Sequence, residues 1–435
     1  MLQYADSKRL LKPDSKILAA VSGGVDSMVM MRLLHDAGVK MCVAHCNFGL
    51  RGKESDLDEE FVKAETEKSG IKCFVEHFDT IGYASQNGIS IQMAAREQRY
   101  RWFNELAERD SFDAIAIAHN SDDSIETLFI NLARGTSIHG LTGIRPKNGK
   151  IIRPLLFASS NEIRDYAKTN EIAFREDSSN ESDKYARNHI RHNVIPAIEK
   201  FFPAIKQSIE RSLEHFTAVE MFYNEAIEQY KCKIITTIDD LVYIDLPGLM
   251  QSPSPQALLY EILKPYSFPT TTAEEILKDR KHTSGRQFFS DTHRLVLDRQ
   301  KLILSLRHSA LDAENPSYVD INILKMEKFK KYTGFTPDTD HNTACLDDDK
   351  LRYPLLLRKW EHGDTFRPLG MKCKKKLSDF FIDEKLSLIE KEKCLVLVSD
   401  GQIAWIVGLR IDDRFKIRKE TKNIVRIKKS INHKP

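Results

Sequence analysis

Short apolar runs alternate with amphipathic runs between residues 16 and 160 of this chain. The run KILAAVS at 16–22 predicts a buried strand, and the run at 26–38 predicts the helix that follows it. The same pattern predicts strands at 39–47, 71–78, 112–119 and 151–157, and helices at 54–70, 90–108, 122–135 and from Ser159 or Ser160 onward. Such alternation is typical of βαβ units, so we predict a Rossmann-like α/β fold with a parallel sheet covered on both faces.

The pattern changes after about residue 188, and 435 residues are too many for one hydrophobic core. The segment from 188 to 232 is helical in pattern, and later segments such as RLVLDR and CLVLVSD predict short strands. We therefore predict an α/β domain at 1–212, a helical and α+β domain at 213–320, a connector at 321–350 and a small β-rich domain at 351–435.

Charge and hydropathy exclude several classes of protein. A net charge of +3 is close to neutral for this length, so any surface that binds nucleic acid must be local. No run of eighteen apolar residues predicts a membrane span, and the charged N-terminal segment has no signal-peptide core. The seven cysteines are scattered and contain no C-x-x-C pair, which favours free thiols in a reducing compartment. We expect a cytoplasmic protein.

The stretch S-G-G-V-D-S at 22–27 lies between the first predicted strand and its helix. Two glycines at such a turn expose backbone N–H groups, and these groups together with the helix N-terminus form a cradle for an anion such as phosphate. The stretch matches neither G-x-x-x-x-G-K-[ST] nor G-x-G-x-x-G. A plain tight turn with Asp26 as a helix cap is the alternative reading.

Seven segments, in order along the chain, resemble known proteins. S-G-G-V-D-S resembles the signature of the PP-loop ATP pyrophosphatases. Six further segments resemble parts of the tRNA(Ile)-lysidine synthetases within that superfamily: AHCNFGLRG at 44–52, MAAREQRYRWF at 93–103, the block at 118–144, RPLL at 153–156, EDSSNESDKYARNHIR at 176–191 and the segment at 363–385. One departure is Phe48, which stands where that family usually has a second histidine, and we give Phe48 no catalytic role.

The resemblance implies an ATP-dependent ligase that modifies RNA. The 2-carbonyl oxygen of the wobble cytidine in the CAU-anticodon tRNA(Ile) would attack ATP, and free L-lysine would then displace AMP to give lysidine. Decoding would change from AUG to AUA. ATP is implied as a co-substrate with Mg²⁺, and we expect no tightly bound organic cofactor and no membrane partner. The sequence leaves open whether the chain forms a homodimer.

The resemblance also implies which residues bind ATP. These are Ser22, Gly23, Gly24, Val25, Asp26, Ser27, Arg96 and His119. Arg96 and Arg99 lie three residues apart on one helix face, and the alternative for both is a solvated basic stripe. Asp26 either holds Mg²⁺ between itself and the phosphates or only caps the helix. His119 either contacts a nucleotide or is a buried histidine with its bonds satisfied.

Asp123 and Glu126 are the expected lysine-binding and catalytic carboxylates, together with Asp26 and Arg96 as catalytic residues. Asp123 and Glu126 are three residues apart and share a helix face, so either is placed to accept the proton of the lysine amine. The alternative is that acidic residues in a first helical turn simply favour the helix dipole.

Local basic clusters are the expected tRNA contacts, in the middle and C-terminal domains as well as beside the catalytic site. The residues are Lys372, Lys374, Lys375, Lys376, Arg187 and Arg191.

Two other functions compete with this interpretation. A PP-loop cytidine thiolase needs cysteines that carry sulfur or hold a cluster, and the sequence has no C-x-x-C pair for that purpose. A non-catalytic RNA-binding module would bind ATP without cleaving it.

Overall fold

A computed structural model describes residues 1–176, 186–278, 284–307, 318–338 and 340–429. The chain forms two compact units, Met1–Asn224 and Glu225–Pro435. Part of the segment 176–191, namely residues 177–185, lies outside the described residues.

The first unit is built on a six-stranded sheet. Its strands are β1 Lys16–Ala20, β2 Lys40–Asn47, β3 Cys73–His77, β4 Ala114–Ile117, β5 Lys147–Asn148 and β6 Ile151–Ile152. The strand order is β3-β2-β1-β4-β6-β5, and every pair is parallel except β5 with β6. The predicted parallel sheet is confirmed. The predicted strand at 151–157 is wrong beyond Ile152, because the chain turns after two residues.

Helices cover both faces of this sheet, as the alternation predicts. They are α1 Leu2–Ser7, α2 Val25–Asp36, α3 Lys53–Lys68, α4 Thr80–Asn87, α5 Ile91–Arg109, α6 Ser121–Arg134, α7 Ile138–Leu141 and α8 Ser160–Thr169. Helix α8 begins with a capping box formed by Ser159 and Glu162. Two clusters of buried side chains cover the two faces, one around Ile17 and Met30 and the other around Leu18 and Phe103. Successive side chains of a strand point to opposite faces, and both faces are covered, so β1 is apolar at every position after Lys16.

The order of the strands places a switch point at β1. Strand β2 pairs with β1 on one side and β4 pairs with it on the other. Loops that leave β1 and β4 therefore diverge at the carboxyl edge of the sheet and leave a crevice between them. S-G-G-V-D-S follows β1, and the segment from His119 to Asp123 follows β4.

From Ala186 onward the first unit is mostly helical, as predicted. It contains α9 Ala186–His189, α10 Ile195–Glu199 and the start of α11, Ile205–Ile234. A π-helical turn, Ile190–Val194, joins α9 to α10. Ile195, Ile209 and Leu213 from this region pack against Ile125 and Leu128 of α6. This apolar contact fixes the helical region against the helix that begins beside the switch point.

The second unit begins with a five-stranded antiparallel sheet of order β7-β8-β11-β10-β9. Its elements are β7 Ile235–Ile238, β8 Leu241–Asp245, α12 Leu246–Met250, α13 Pro255–Leu263, α14 Thr271–Lys278, β9 Gln287–Phe289, β10 His293–Asp298 and β11 Lys301–Leu306. The helices and the sheet share one apolar core that includes Leu259 and Leu295.

The remainder of the second unit is rich in short strands. The elements are β12 Tyr318–Val319, β13 Leu324–Lys330, β14 Thr343–Asp347, β15 Leu355–Lys359, β16 Thr365–Phe366, β17 Lys375–Lys376, α15 Leu377–Asp383, α16 Leu388–Lys393, β18 Leu395–Ser399, β19 Gln402–Ile406 and β20 Asn423–Lys429. They form sheets of order β12-β15-β18-β19, β13-β20-β14 and β16-β17. Short 3₁₀ turns occur at Lys264–Tyr266, Ile321–Ile323, Asp348–Lys350 and Asp413–Phe415.

The segment 321–350, expected to be a connector, supplies two of these strands. Strand β13 is mostly exposed, and it pairs over its full length with β20. The polar side chains of β13 do not predict a strand, because an edge strand is held by backbone hydrogen bonds and not by side-chain burial. The finer division of the chain into four segments stays a prediction.

None of the helices in the described part of the chain combines the length and apolar character that crossing a bilayer requires.

Candidate active site

The serine hydroxyls of S-G-G-V-D-S hold the loop in shape. Ser27 Oγ accepts a hydrogen bond from the Ser22 N–H at 3.1 Å and donates to the Gly24 carbonyl at 2.9 Å. Ser22 Oγ accepts from the Gly24 N–H at 3.4 Å. Gly24 is the residue that precedes the first turn of α2, so the loop delivers the helix N-terminus to the switch point.

Gly23 has a backbone conformation that favours glycine. Its φ is +94°, and a Cβ atom there would lie 3.5 Å from Val62 Cγ2, which is ordinary contact. The requirement for glycine is therefore conformational. The Gly23 carbonyl accepts a hydrogen bond from the Arg175 N–H at 3.0 Å, so a segment far along the chain supports the loop.

Only one of the two carboxylate oxygens of Asp26 has a hydrogen-bond partner in the described residues. Its Oδ2 accepts from Asn120 Nδ2 at 3.3 Å, while its Oδ1 is buried and accepts from no group in the described residues. Burial, followed by repulsion from Asp123, raises the pKa of Asp26 to about 6. An uncompensated oxygen of this kind is suited to a cation that arrives with a ligand.

A cavity of about 1030 Å³ opens above the loop. Among the predicted site residues, the following line it: Ser22, Gly24, Val25, Asp26, Ser27, His119, Asp123, Arg187 and Arg191. Three other predicted site residues do not line this cavity: Gly23, Arg96 and Glu126. The structure therefore brings most of the predicted phosphate loop and one of the two predicted lysine carboxylates to the same cavity.

Asp123 lies at the N-terminus of α6. Its Oδ2 accepts from the Asn120 N–H at 3.0 Å, and its own N–H donates to Asn120 Oδ1 at 3.0 Å, which forms a capping box. Its Oδ1 is 3.6 Å from Arg191 Nη2. The dipole explanation and the functional one are compatible, because one oxygen caps the helix while the residue also lines the cavity.

Glu126 is fully buried and engaged by two arginines. Its Oε1 accepts from Arg191 Nε at 2.6 Å, and its Oε2 is 3.4 Å from Arg187 Nε. Burial raises the pKa of Glu126 and the two arginines oppose that rise. In this arrangement the buried carboxylate of Glu126 pairs with the positive charges of Arg187 and Arg191, which line the cavity.

His119 lines the cavity, and its Nδ1 accepts from Arg153 Nε at 3.0 Å. Burial lowers the pKa of His119, Asp123 opposes this, and nearby arginines lower the pKa as well, with a net value of about 4. The ring is therefore neutral at physiological pH.

Comparisons with known proteins bear directly on this arrangement. A PP-loop domain model matches residues 2–198, a TilS substrate binding domain model matches 237–307, and a TilS substrate C-terminal domain model matches 355–428. A tRNA(Ile)-lysidine synthase of Bacteroides thetaiotaomicron is 41% identical over 98% of this chain and 98% of the relative. Another from Parabacteroides distasonis is 42% identical over 97% of each.

The chain belongs to the tRNA(Ile)-lysidine synthase family. Among solved structures, a U34-tRNA thiolase from Methanococcus maripaludis aligns with a TM-score of 0.40 and 24% identity, over 49% of this chain and 78% of that chain.

Several residues that line the cavity of this chain were not predicted as site residues from the sequence. They include Phe48, Arg99, Arg164 and Arg175. Arg99 lies over the Phe48 ring, 5.3 Å from its centroid, whereas the exposed Arg96 lies 5.0 Å from the Tyr100 centroid. The spacing of the two arginines indicates one face of α5, but only the fold shows which of them reaches the cavity.

The predicted tRNA contacts divide between the two units of this family member. Arg187 and Arg191 line the cavity of the first unit. Lys372, Lys374 and Lys376 are exposed in the second unit, and Lys375 pairs with Asp383. The assignment of both sets to tRNA contacts stays a prediction.

Proposed function

We propose that this chain joins free L-lysine to the C2 carbon of the wobble cytidine in the tRNA(Ile) that carries a CAU anticodon. The cytidine 2-carbonyl oxygen attacks the α-phosphorus of ATP, and pyrophosphate leaves. The ε-amine of lysine then attacks C2, loses a proton, and displaces AMP to give lysidine. The modified tRNA reads AUA as isoleucine in place of AUG as methionine.

One observation carries the proposal: the S-G-G-V-D-S loop and Asp123 face the same cavity. The two half-reactions need a triphosphate and an amine at one carbon atom, and a shared cavity allows both without moving the RNA. The loop offers backbone N–H groups and the N-terminus of α2 to the phosphates. Arg187 and Arg191 add positive charge to the lining of the same cavity.

Asp26 is the residue that fits a Mg²⁺ ion. Mg²⁺ in nucleotide sites takes one or two carboxylates, and the substrate phosphates and waters complete its coordination. The buried Oδ1 of Asp26 accepts no hydrogen bond from the described residues, which leaves it available for this role. When bound, the ion would neutralise charge that develops on the phosphates.

Asp123 is the carboxylate that we assign to the lysine ammonium. It lines the cavity, and its nearest cation, Arg191, is 3.6 Å away and bonded more closely to Glu126. Asp123 is therefore placed to accept the proton that the amine must lose before attack. Glu126 supports this arrangement by holding Arg191 and Arg187.

In this proposal, exposed lysines of the second unit contact the phosphates of the tRNA backbone. Lys372 and Lys374 precede β17 and Lys376 lies in it; all three are exposed and are suited to phosphate contacts.

The proposal is tested by incubating the purified protein with ATP, labelled lysine and the CAU-anticodon isoleucine tRNA transcript. We expect label in the RNA, with one AMP and one pyrophosphate released for each lysidine. A transcript with guanosine at the wobble position is the control, because guanosine has no 2-carbonyl oxygen. Bound ATP that is never cleaved would favour the RNA-binding module instead.

The properties of the cysteines favour a lysidine synthase over a thiolase. Burial raises the pKa of Cys46, which lines the cavity, to about 12, so its thiolate is scarcely populated. Across the described ranges, no three His, Cys, Asp or Glu side chains lie together as a metal-binding group.

A further inference from the structure

Arg153, in the segment R-P-L-L, is a buried arginine that has no part in the reaction proposed above. Only 7% of its surface is exposed. It follows β6; its Nη1 donates to the Arg145 carbonyl at 2.6 Å, and its Nε donates to His119 Nδ1 at 3.0 Å. A buried guanidinium is costly unless its donors are satisfied, so these contacts fix its position.

The contact between Arg153 and His119 determines the state of the histidine ring. Arg153 Nε lies 3.0 Å from His119 Nδ1. Guanidinium groups keep their protons in proteins and have donors only, so Nδ1 must be the acceptor and must carry no proton. In a neutral ring the proton is then on Nε2. Within the described residues no hydrogen bond engages Nε2, and His119 lines the cavity.

Charges around His119 keep the ring neutral. Arg153, Arg187 and Arg96 disfavour an imidazolium, and Asp123 alone favours it. Together with burial, these groups leave a pKa of about 4. A neutral ring whose Nδ1 is occupied cannot take the proton from the lysine amine without breaking its bond to Arg153, but it can donate from Nε2.

We propose that Arg153 is a positioning residue that holds His119 as a neutral Nε2–H donor to an oxygen of the reacting nucleotides. The inference rests on the proposed function for the identity of that oxygen. Two oxygens share the required chemistry, namely a phosphoryl oxygen of ATP and the 2-carbonyl oxygen of cytidine. Both accept hydrogen bonds. A fixed donor would stabilise the negative charge that grows on a phosphoryl oxygen during adenylation, or on the former 2-carbonyl oxygen as it leaves C2 with AMP.

The state of the ring is measured first, by ¹⁵N NMR of the histidine-labelled full chain without substrates. His119→Gln identifies the signals by their loss. We expect the Nε2-protonated neutral tautomer from about pH 5.5 to about pH 8. We expect Arg153→Met to yield a mixture of tautomers and a higher pKa, and Arg153→Lys, which keeps a charged donor, to retain the wild-type spectrum. An Nδ1-protonated or cationic ring in the wild type, or an unchanged spectrum in Arg153→Met, overturns the proposal. The wild-type measurement stands even if Arg153→Met does not fold.

A double-mutant cycle then tests whether Arg153 acts through His119. Glutamine places an amide N–H close to the position of Nε2, so His119→Gln keeps a donor that needs no tautomer control, whereas His119→Leu removes the donor. We expect Arg153→Met to lower kcat by about tenfold or more in the wild type and to have little effect in the His119→Gln background. An equal loss in both backgrounds indicates a structural role and overturns the proposal.

Kinetics identify which oxygen receives the bond. If the acceptor is on ATP, His119→Leu raises the KM for ATP or slows adenylation with saturating RNA, while RNA affinity is unchanged. If the acceptor is on cytidine, the KM for the transcript rises and the KM for ATP stays constant. A His119→Leu enzyme with wild-type kinetics overturns the proposal. Because the NMR measurement needs no substrate, a failure of the lysidine reaction is distinguishable from a failure of this inference.

Discussion

Replacing Asp26 with asparagine separates the stability of the fold from its function. Burial raises the pKa of Asp26 from 3.8 to about 6, so the folded state holds this proton more tightly than the unfolded chain does. Ionisation of Asp26 therefore destabilises the folded state as the pH rises from about 4 to about 6, and the penalty is constant above that range. A shift of about two pKa units corresponds to ~3 kcal/mol.

Asparagine removes that ionisation penalty and introduces a desolvation penalty of its own. The bond from Asn120 Nδ2 survives, because the new side chain keeps one acceptor oxygen. The amide nitrogen replaces an oxygen that is buried without a described partner, and an unsatisfied buried donor costs about 1–3 kcal/mol. The net effect of Asp26→Asn is then a gain of about 0–2 kcal/mol at about pH 8. At about pH 4 the wild-type carboxyl is protonated, so only the amide penalty remains and the variant is less stable by about 1–3 kcal/mol.

Differential scanning calorimetry of the full chain measures this effect. A gain of at most about 2 kcal/mol at about pH 8 raises the Tm of a unit of this size by at most about 8 °C, whereas the loss at about pH 4 lowers it. The matched control is Asp14→Asn, at a carboxylate whose side chain is 84% exposed, for which we expect no pH-dependent gain. Lysidine formation by Asp26→Asn should fall sharply despite the higher Tm. An equal Tm shift at both pH values, or a lower Tm at the higher pH, would refute the reasoning.

Three further variants test the site. Gly23→Ala should cost about 1–3 kcal/mol because φ is +94°, and it should raise the KM for ATP, whereas Gly38→Ala, at φ +70° with open space around it, should lower stability alone. Asp123→Asn should slow lysine transfer more than adenylation, measured as label incorporation against pyrophosphate release. Replacing Lys372 and Lys374 together with alanine should weaken tRNA binding and reduce the slope of log affinity against log salt by about two.

Each of these variants has an outcome that counts against its assignment. An unchanged KM for ATP in Gly23→Ala would place the nucleotide elsewhere. Equal losses in both half-reactions for Asp123→Asn would detach this residue from the amine. An unchanged salt slope in the lysine double variant would remove those side chains from the RNA surface.

The parallel sheet and the phosphate loop were predictable because both depend on local pattern. Apolar periodicity distinguishes strand from helix within a few residues, and alternating elements leave few topologies. S-G-G-V-D-S is six consecutive residues, so its cradle also forms locally. The polar strand β13 was not predictable in this way, because its pairing with β20 depends on backbone groups that every sequence shares.

Only the tertiary structure decided which charges meet. Glu126 and Arg191 are 65 positions apart, and their contact removes Glu126 from the described cavity lining and leaves Asp123 there. Arg153 reaches His119 because β6 lies beside β4, a matter of strand order that no local pattern contains. The free energy of a buried ionic group depends on its nearest partners in space, and chain folding, not spacing along the sequence, sets those partners.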